Sequence, residues 1–241
     1  MQEEKKLVIV VSSKSSAEEK KDFIQHLIDT CGFDDESEDV VDIVFNVNPN
    51  GESLTKIYNE ALEEHDAKYF VFVHDDVEFL RKGWGKEIVR LFEENKDYGI
   101  IGVAGSGEFD SNAAWWNYED KYGQVLHRHD GKAWLTAFSP LLPCDLMNVC
   151  VVDGLFMAVA KDRITSRFKE DYEGFNFYDI SFCLQNYIDG KIKIGVTTNI
   201  RLAHDSIGQL QQNWYDNKEK LNAEFKKYYP IKTKHNVKIN R

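Results

Sequence analysis

The stretch YFVFVHDDVEF, Tyr69 to Phe79, decides how this chain is read. An unbroken apolar and aromatic run, Tyr69 to Val73, leads straight into His74-Asp75-Asp76, and apolar character resumes at Val77 and Phe79. A run without polar alternation reads as a strand buried on both faces, as in a parallel sheet covered by helices. Its neighbours fit that reading. Lys6–Val11 and Val40–Val47 read as strands, and Gly99–Ala104 as a fourth. Between them, Phe23, Ile24, Leu27 and Ile28 share one helical face, after a capping-box spacing of Ser16 to Glu19. Leu54, Ile57, Tyr58, Ala61 and Leu62 mark a second helix; Trp84, Ile88, Leu91 and Phe92 mark a third. Strand–helix alternation of this kind predicts an α/β fold: a Rossmann-like, mostly parallel sheet with helices on both faces.

The second half is less regular. Residues 105–148 have little periodicity and read as a long functional loop region or as local structure without a sequence signature. Cys150–Ala160 reads as a strand that Asp153-Gly154 interrupts, Ile180 to Ile188 as a helix, and Ile192–Thr198 as a strand. Leu210, Trp214, Leu221, Phe225 and Tyr228 suggest a long amphipathic helix. Beyond Pro230 the chain carries Lys232, Lys234, Lys238 and Arg241 and reads as a frayed basic tail. The expected organisation is one domain over 1–230 and a tail over 231–241.

Composition narrows the function. The chain has 241 residues, 42% hydrophobic, and a net charge of -11. An acidic surface disfavours nucleic-acid binding, which needs basic residues facing phosphate. No apolar run is long enough for a membrane span, and the first residues lack a signal-peptide layout. The expectation is a cytoplasmic protein with no integral membrane segment, which leaves peripheral membrane association open. Cys31, Cys144, Cys150 and Cys183 form no CxxC pair and read as reduced structural thiols.

In open sheets of this class, ligands bind outside the carboxyl ends of the strands, where Asp75 and Asp76 fall. Adjacent carboxylates repel, and a divalent cation, Mg2+ or Mn2+, relieves that repulsion. The competing reading is a solvated loop start or helix cap. Ser12 and Ser13 end the first strand and Asn46 the second, so they either line a nucleotide pocket or form ordinary strand-end turns. Glycine at position 154 marks either a close ligand approach beside Asp153 or a bulge. Trp115 and Trp116 suit either a sugar-binding loop or the core. His127 and His129 lack a third ligand for a metal site of their own.

Taken with these stretches, NPNGESLTKIYNEAL (48–62), VVDGLFMAVAKDRI (151–164), FKEDYEGFNFYDISFCLQNYIDGKIKIGV (168–196) and IRLAHDSIG (200–208) complete a familiar order. The chain resembles glycosyltransferase family 2 proteins of GT-A fold, in the bacterial branch that carries HDDV in place of Asp-x-Asp. The resemblance spans roughly residues 7–215. It implies inverting sugar transfer from a nucleotide-diphosphate sugar, expected to be UDP-linked, to a glycan or other hydroxyl acceptor, assisted by Mn2+ or Mg2+. Asp76 then matches the second Asp of the motif, and His74 stands where the first Asp would be. Asp179 matches the general base, with Tyr178 replacing the preceding Glu. His204 matches a late metal ligand; it follows the strand-like Ile200–Ala203, and Ser206 and Gly208 suggest a turn that would leave it an exposed ligand. Asp75 and Asp153 fall among the donor-binding positions. The departures at His74 and Tyr178 keep a second reading open, a GT-A-like binding or scaffold module without turnover. A sugar nucleotidyltransferase is a third, disfavoured because Ser12-Ser13-Lys14-Ser15-Ser16 contains no glycine for a phosphate loop.

Overall fold

The structure, a computed structural model, describes residues 5–33, 41–138, 143–172, 174–206 and 212–233. In chain order the elements are β1 (Lys5–Ser13), α1 (Lys21–Cys31), β2 (Val41–Val47), α2 (Leu54–Glu64), β3 (Ala67–His74), β4 (Val77–Phe79), α3 (Trp84–Glu94), β5 (Tyr98–Gly102), β6 (Ala104–Ser106) and β7 (Glu108–Phe109). A short 3-10 turn at Trp115–Asn117 follows. Then come β8 (Lys121–His129), β9 (Lys132–Ala137), β10 (Met147–Val149), β11 (Val151–Val152), β12 (Phe156–Ala160), α4 (Tyr178–Ile188), β13 (Lys193–Val196), β14 (Leu202–His204), α5 (Gln212–Phe225) and β15 (Ile231–Lys232).

The main sheet has seven strands in the order β10-β13-β5-β12-β3-β1-β2. β1, β2, β3, β5 and β13 run one way; β12 and β10 oppose them. Successive side chains of β3 point to opposite faces. Tyr69 stacks on Phe92 of α3 at 5.0 Å, while Phe72, on the other face, packs on Tyr58 of α2 at 4.4 Å. Helices therefore cover both faces, which explains why β3 shows no polar alternation. Each side chain fully buried there contributes roughly 1.5–3 kcal/mol.

A second sheet, β11-β6-β8-β14-β4 with β9 against β8, leans over the carboxyl edge of the first. Two expected strands are in fact split between the sheets. The Gly99–Ala104 strand ends at Gly102, and Ala104 already pairs with β8. The Cys150–Ala160 strand is β11 in one sheet and β12 in the other, and Asp153-Gly154-Leu155 is the crossover. Apolar content alone carries no signal for such a switch. Much of the region expected to be irregular, 105–148, carries β6 to β10, the β8/β9 hairpin included. The start of the tail is also ordered: Ile231 and Lys232 pair with Phe109 and Glu108, and Ile231 is buried. The Ser16–Glu19 capping box forms, with both reciprocal bonds, but it closes a turn ahead of α1 rather than its first turn. Val40, Gly208, Leu210, Lys234, Lys238 and Arg241 lie outside the described residues. No helix among the described residues is long and apolar enough to cross a membrane.

Gly123 is where the sheets press together. Its φ is +116°, and a Cβ there would sit 2.0 Å from the Val103 carbonyl oxygen. Backbone cannot yield as a flexible side chain can, so Gly123→Ala is expected to lower stability by more than about 2 kcal/mol. Urea unfolding checks this; an unchanged midpoint would mean that the crossing does not need glycine.

Candidate active site

Strand register assembles the site. β3 ends at His74, and after Asp75 and Asp76 the chain enters β4, which pairs antiparallel with β14 so that Val77 faces His204. The Asp205 amide donates to the Asp76 carbonyl at 2.9 Å, holding the two segments together one residue beyond. β14 in turn pairs with β8, and His127 lies beside His204. Arg128, one residue on, bridges Glu78 at 2.6 Å and Asp205 at 2.5 Å, tying the same three strands. Ligating atoms of His74, Asp76 and His204 all lie within 4.8 Å of one another. His204 Nε2 and Asp76 Oδ1 are 3.3 Å apart.

His204 differs from expectation in one respect. It is the last residue of β14, not a residue beyond the strand, and it is only 9% exposed. It is a buried group and carries packing as well as any ligand role.

The electrostatics keep Asp76 ionised between two imidazoles. Burial lowers the His74 pKa, against the pull of Asp76, so this imidazole is neutral near pH 7 and has a lone pair to offer. At Asp76 burial would raise the pKa, but His204 and His74 outweigh it and hold the carboxyl well below the usual range. At His204 burial would lower the pKa, and Asp76 reverses that, with help from Asp153 and Asp205. Asp76 Oδ1 is buried, with the His204 imidazole 3.3 Å away as its close polar neighbour. A buried, ionised carboxylate oxygen facing two imidazoles fits a divalent cation. His74 Nε2 meets the Tyr178 hydroxyl at 2.9 Å, which fixes the ring as oxygen partners fix ligating histidines. Gly154 makes room for that hydroxyl: a Cβ would stand 2.1 Å from it.

Asp179 sits in the first turn of α4. Its two oxygens accept from the Gly154 and Ile180 amides, each at 2.8 Å. Burial pushes its pKa up, and the Asp153 charge adds to this, to about 7 despite those hydrogen bonds. Asp153 accepts from the Leu155 amide at 3.0 Å. The crossover that carries Asp153 is tied to β3, because the His74 amide donates to the Leu155 carbonyl at 3.1 Å. His74, His204, Asp153 and Asp179 all line one cleft of about 770 Å³.

Asp76 is not itself among the residues that line the cleft, and Ser12, Ser13, Asn46 and Asp75, at the ends of β1, β2 and β3, also lie outside its lining. Ser12 is in register with both His74 and Asn46. Ser13 is buried and donates to Asp75, whose carboxylate also meets Lys20 at 3.2 Å. Of the two residues left open at the motif, His74 faces Asp76 and His204, while Asp75 faces Ser13 and Lys20. His129 does not converge with His127; it meets Asp130 at 3.3 Å. Sequence reasoning gave His127 no place in a shared cleft, nor Trp134, Phe177 and Trp214, all of which line it. Only the register of β8 against β14 brings His127 in. The two tryptophans divide: Trp115 is buried, while Trp116 is 36% exposed.

A seven-stranded α/β sheet with a smaller sheet beside it is similar to the fold of GT-A glycosyltransferases. The chain belongs to the glycosyltransferase-like family, whose model matches residues 7–229. Its fold is similar to that of GalNAc-T7, solved with UDP, GalNAc and Mn2+, at a TM-score of 0.60 and 8% identity, covering 95% of this chain and 50% of that one. The chain therefore spans about half the length of that protein chain. The structure of A197 from STIV aligns over 98% of both chains at 12% identity and a TM-score of 0.46. No curated protein sequence matches the chain.

Because His204 is buried against Asp76, His204→Ala is expected to cost about 1–3 kcal/mol of stability in the metal-free protein, besides weakening Mn2+ binding. Thermal unfolding in chelator, paired with Mn2+ titration, separates the two effects. Unchanged stability together with unchanged Mn2+ affinity would remove His204 from both roles.

Proposed function

We propose that this chain transfers a sugar from a nucleotide-diphosphate sugar, UDP-linked, to a hydroxyl acceptor, with inversion at the anomeric carbon. The observation that carries the reading is the cluster of His74, Asp76 and His204, of which His74 and His204 line the cleft that Asp179 also lines. His74, Asp76 and His204 are the residues that would hold Mn2+ or Mg2+. A cation bound there neutralises the negative charge of the departing nucleotide diphosphate. Tyr178 orients the His74 ring. Asp75, Ser12, Ser13 and Asn46, at the ends of β1 to β3, are assigned to the nucleoside end of the donor. Asp153 is assigned to the donor sugar.

Asp179 is the general base. As the acceptor oxygen bonds to the anomeric carbon, the bond from that carbon to the diphosphate oxygen breaks, and the hydroxyl proton passes to the Asp179 carboxylate. A pKa of about 7 suits this role, since the group is then basic enough to take a proton and still largely ionised above neutrality. Direct displacement inverts the configuration. The GalNAc-T7 complex with UDP and Mn2+ supports a metal-assisted UDP site on this fold. Cys31, Cys144, Cys150 and Cys183 are all buried thiols, which suits a cytoplasmic setting.

Calorimetry with UDP is the first test: Mn2+ should raise affinity, and chelator should abolish the gain. Asp179→Asn should bind UDP as the parent does and lose on the order of a hundredfold or more in turnover. The parent's rate should rise with pH through a limb near 7, because the carboxylate is the active form. Equal UDP affinity in Mn2+ and in chelator would refute the metal role. Undiminished turnover in the variant would refute the base.

A further inference from the structure

We propose that the acceptor is a neutral sugar, the terminal residue of an uncharged glycan, seated on aromatic faces at the mouth of the cleft. This rests on the transfer chemistry proposed above and names its acceptor class.

Trp116, Trp134 and Phe175 line the cleft and remain 36%, 40% and 47% exposed. They come from separate segments: the 3-10 turn after β7, strand β9, and the loop before α4. The two tryptophans pack on further rings. Trp116 lies 6.1 Å from Trp115 and 6.4 Å from Trp214, both of them buried, and Trp134 stacks on His127 at 5.6 Å. Large rings left in water forgo their burial energy, and three of them facing one concavity form a patch that a ligand covers. Their electron-rich faces attract the polarised C–H groups on the flat side of a pyranose ring.

The charge of the wall selects among ligands. Among the described residues that line the cleft there is no Lys or Arg, while Asp153 and Asp179 are both present. Lys14, Lys121 and Lys218 approach Phe175, Phe138 and Trp214 at 5.9, 5.1 and 5.7 Å, and none of these lysines lines the cleft. An acceptor bearing carboxylate or phosphate would need a guanidinium or ammonium and would instead meet two carboxylates. An acyl chain would leave the wall's polar groups unused: the Asn176 and Asn213 amides and the Thr136 hydroxyl stand among the rings. Ring faces mixed with hydrogen-bonding groups, with no Lys or Arg and with the cation site already given to the donor diphosphate, match an uncharged polyhydroxylated ligand.

The test is ligand-observed NMR on the full chain with Mn2+ and UDP. The probes are lactose, cellobiose, maltose, a glucuronic-acid disaccharide, a short polyprenyl phosphate and a Ser/Thr-rich peptide. At least one neutral disaccharide should bind, at least tenfold tighter than the uronate. Trp116→Ala and Trp134→Ala should each weaken it at least tenfold, Trp116→Phe less than threefold, with UDP affinity within twofold of the parent. Trp134, on a hairpin strand, keeps the test open if Trp116→Ala fails to fold. The proposal is overturned if only the polyprenyl phosphate, the uronate or the peptide binds, if nothing on the panel binds while UDP does, or if folded variants keep full sugar affinity. Tryptophan-dependent sugar binding without any UDP binding would uphold the sugar platform and refute the donor chemistry.

Discussion

An ionised carboxylate at the end of a buried strand is the constraint on which this molecule turns. β3 is apolar because both of its faces are covered, and it delivers Asp76 to the edge of that apolar layer. A charge withdrawn from water there is costly unless an opposite charge or a metal lies beside it. The chain answers with two imidazoles from opposite directions. His74 comes from the same strand. His204 is supplied from far along the sequence by the antiparallel pairing of β14 with β4. The three ligating groups share one hydrogen-bonded framework with the sheets, so their spacing is set by strand register rather than by loop geometry.

The second sheet does the rest. Because β5 passes into β6 and β11 into β12 across a single crossing, the crossover residues Asp153 and Gly154 are pinned against the end of β3. Gly154 then donates to Asp179 and leaves space for the Tyr178 hydroxyl, which reaches His74. The residues at which the chain departs from the family pattern, His74 and Tyr178, are thus partners 2.9 Å apart. An acidic pair at these positions would bring like charges together; imidazole and phenol meet there as a hydrogen bond. The Tyr178 hydroxyl thereby holds the His74 ring in place.

Much of this was legible in the residues. The unbroken run at Tyr69–Val73 announced a doubly covered strand, and the helical spacing of Trp84, Ile88, Leu91 and Phe92 announced the helix that covers one face. The convergence of His74, Asp76 and His204 came from motif order, which the resemblance supplied. What stayed hidden depends on pairing. Nothing in Gly99–Ala104 or Cys150–Ala160 says that the strand changes sheets, because both halves are equally apolar. His127 and Trp134 join the cleft only through the β8/β9 hairpin and its register with β14, a long-range choice that local composition does not encode. The burial of His204 was missed for the same reason: the expected turn beyond it rested on Ser206 and Gly208, while the strand partners that cover it lie far away in sequence.

The central claim is that two histidines and one aspartate form a single cation site. Pulsed EPR on the Mn2+-loaded protein, with histidine uniformly labelled with 15N, tests it most directly. The account predicts hyperfine coupling to two imidazole nitrogens, with one lost in His74→Gln and the other in His204→Gln. Bound Mn2+ with no histidine nitrogen coupled to it would contradict the account and leave Asp76 as an ordinary strand-end carboxylate.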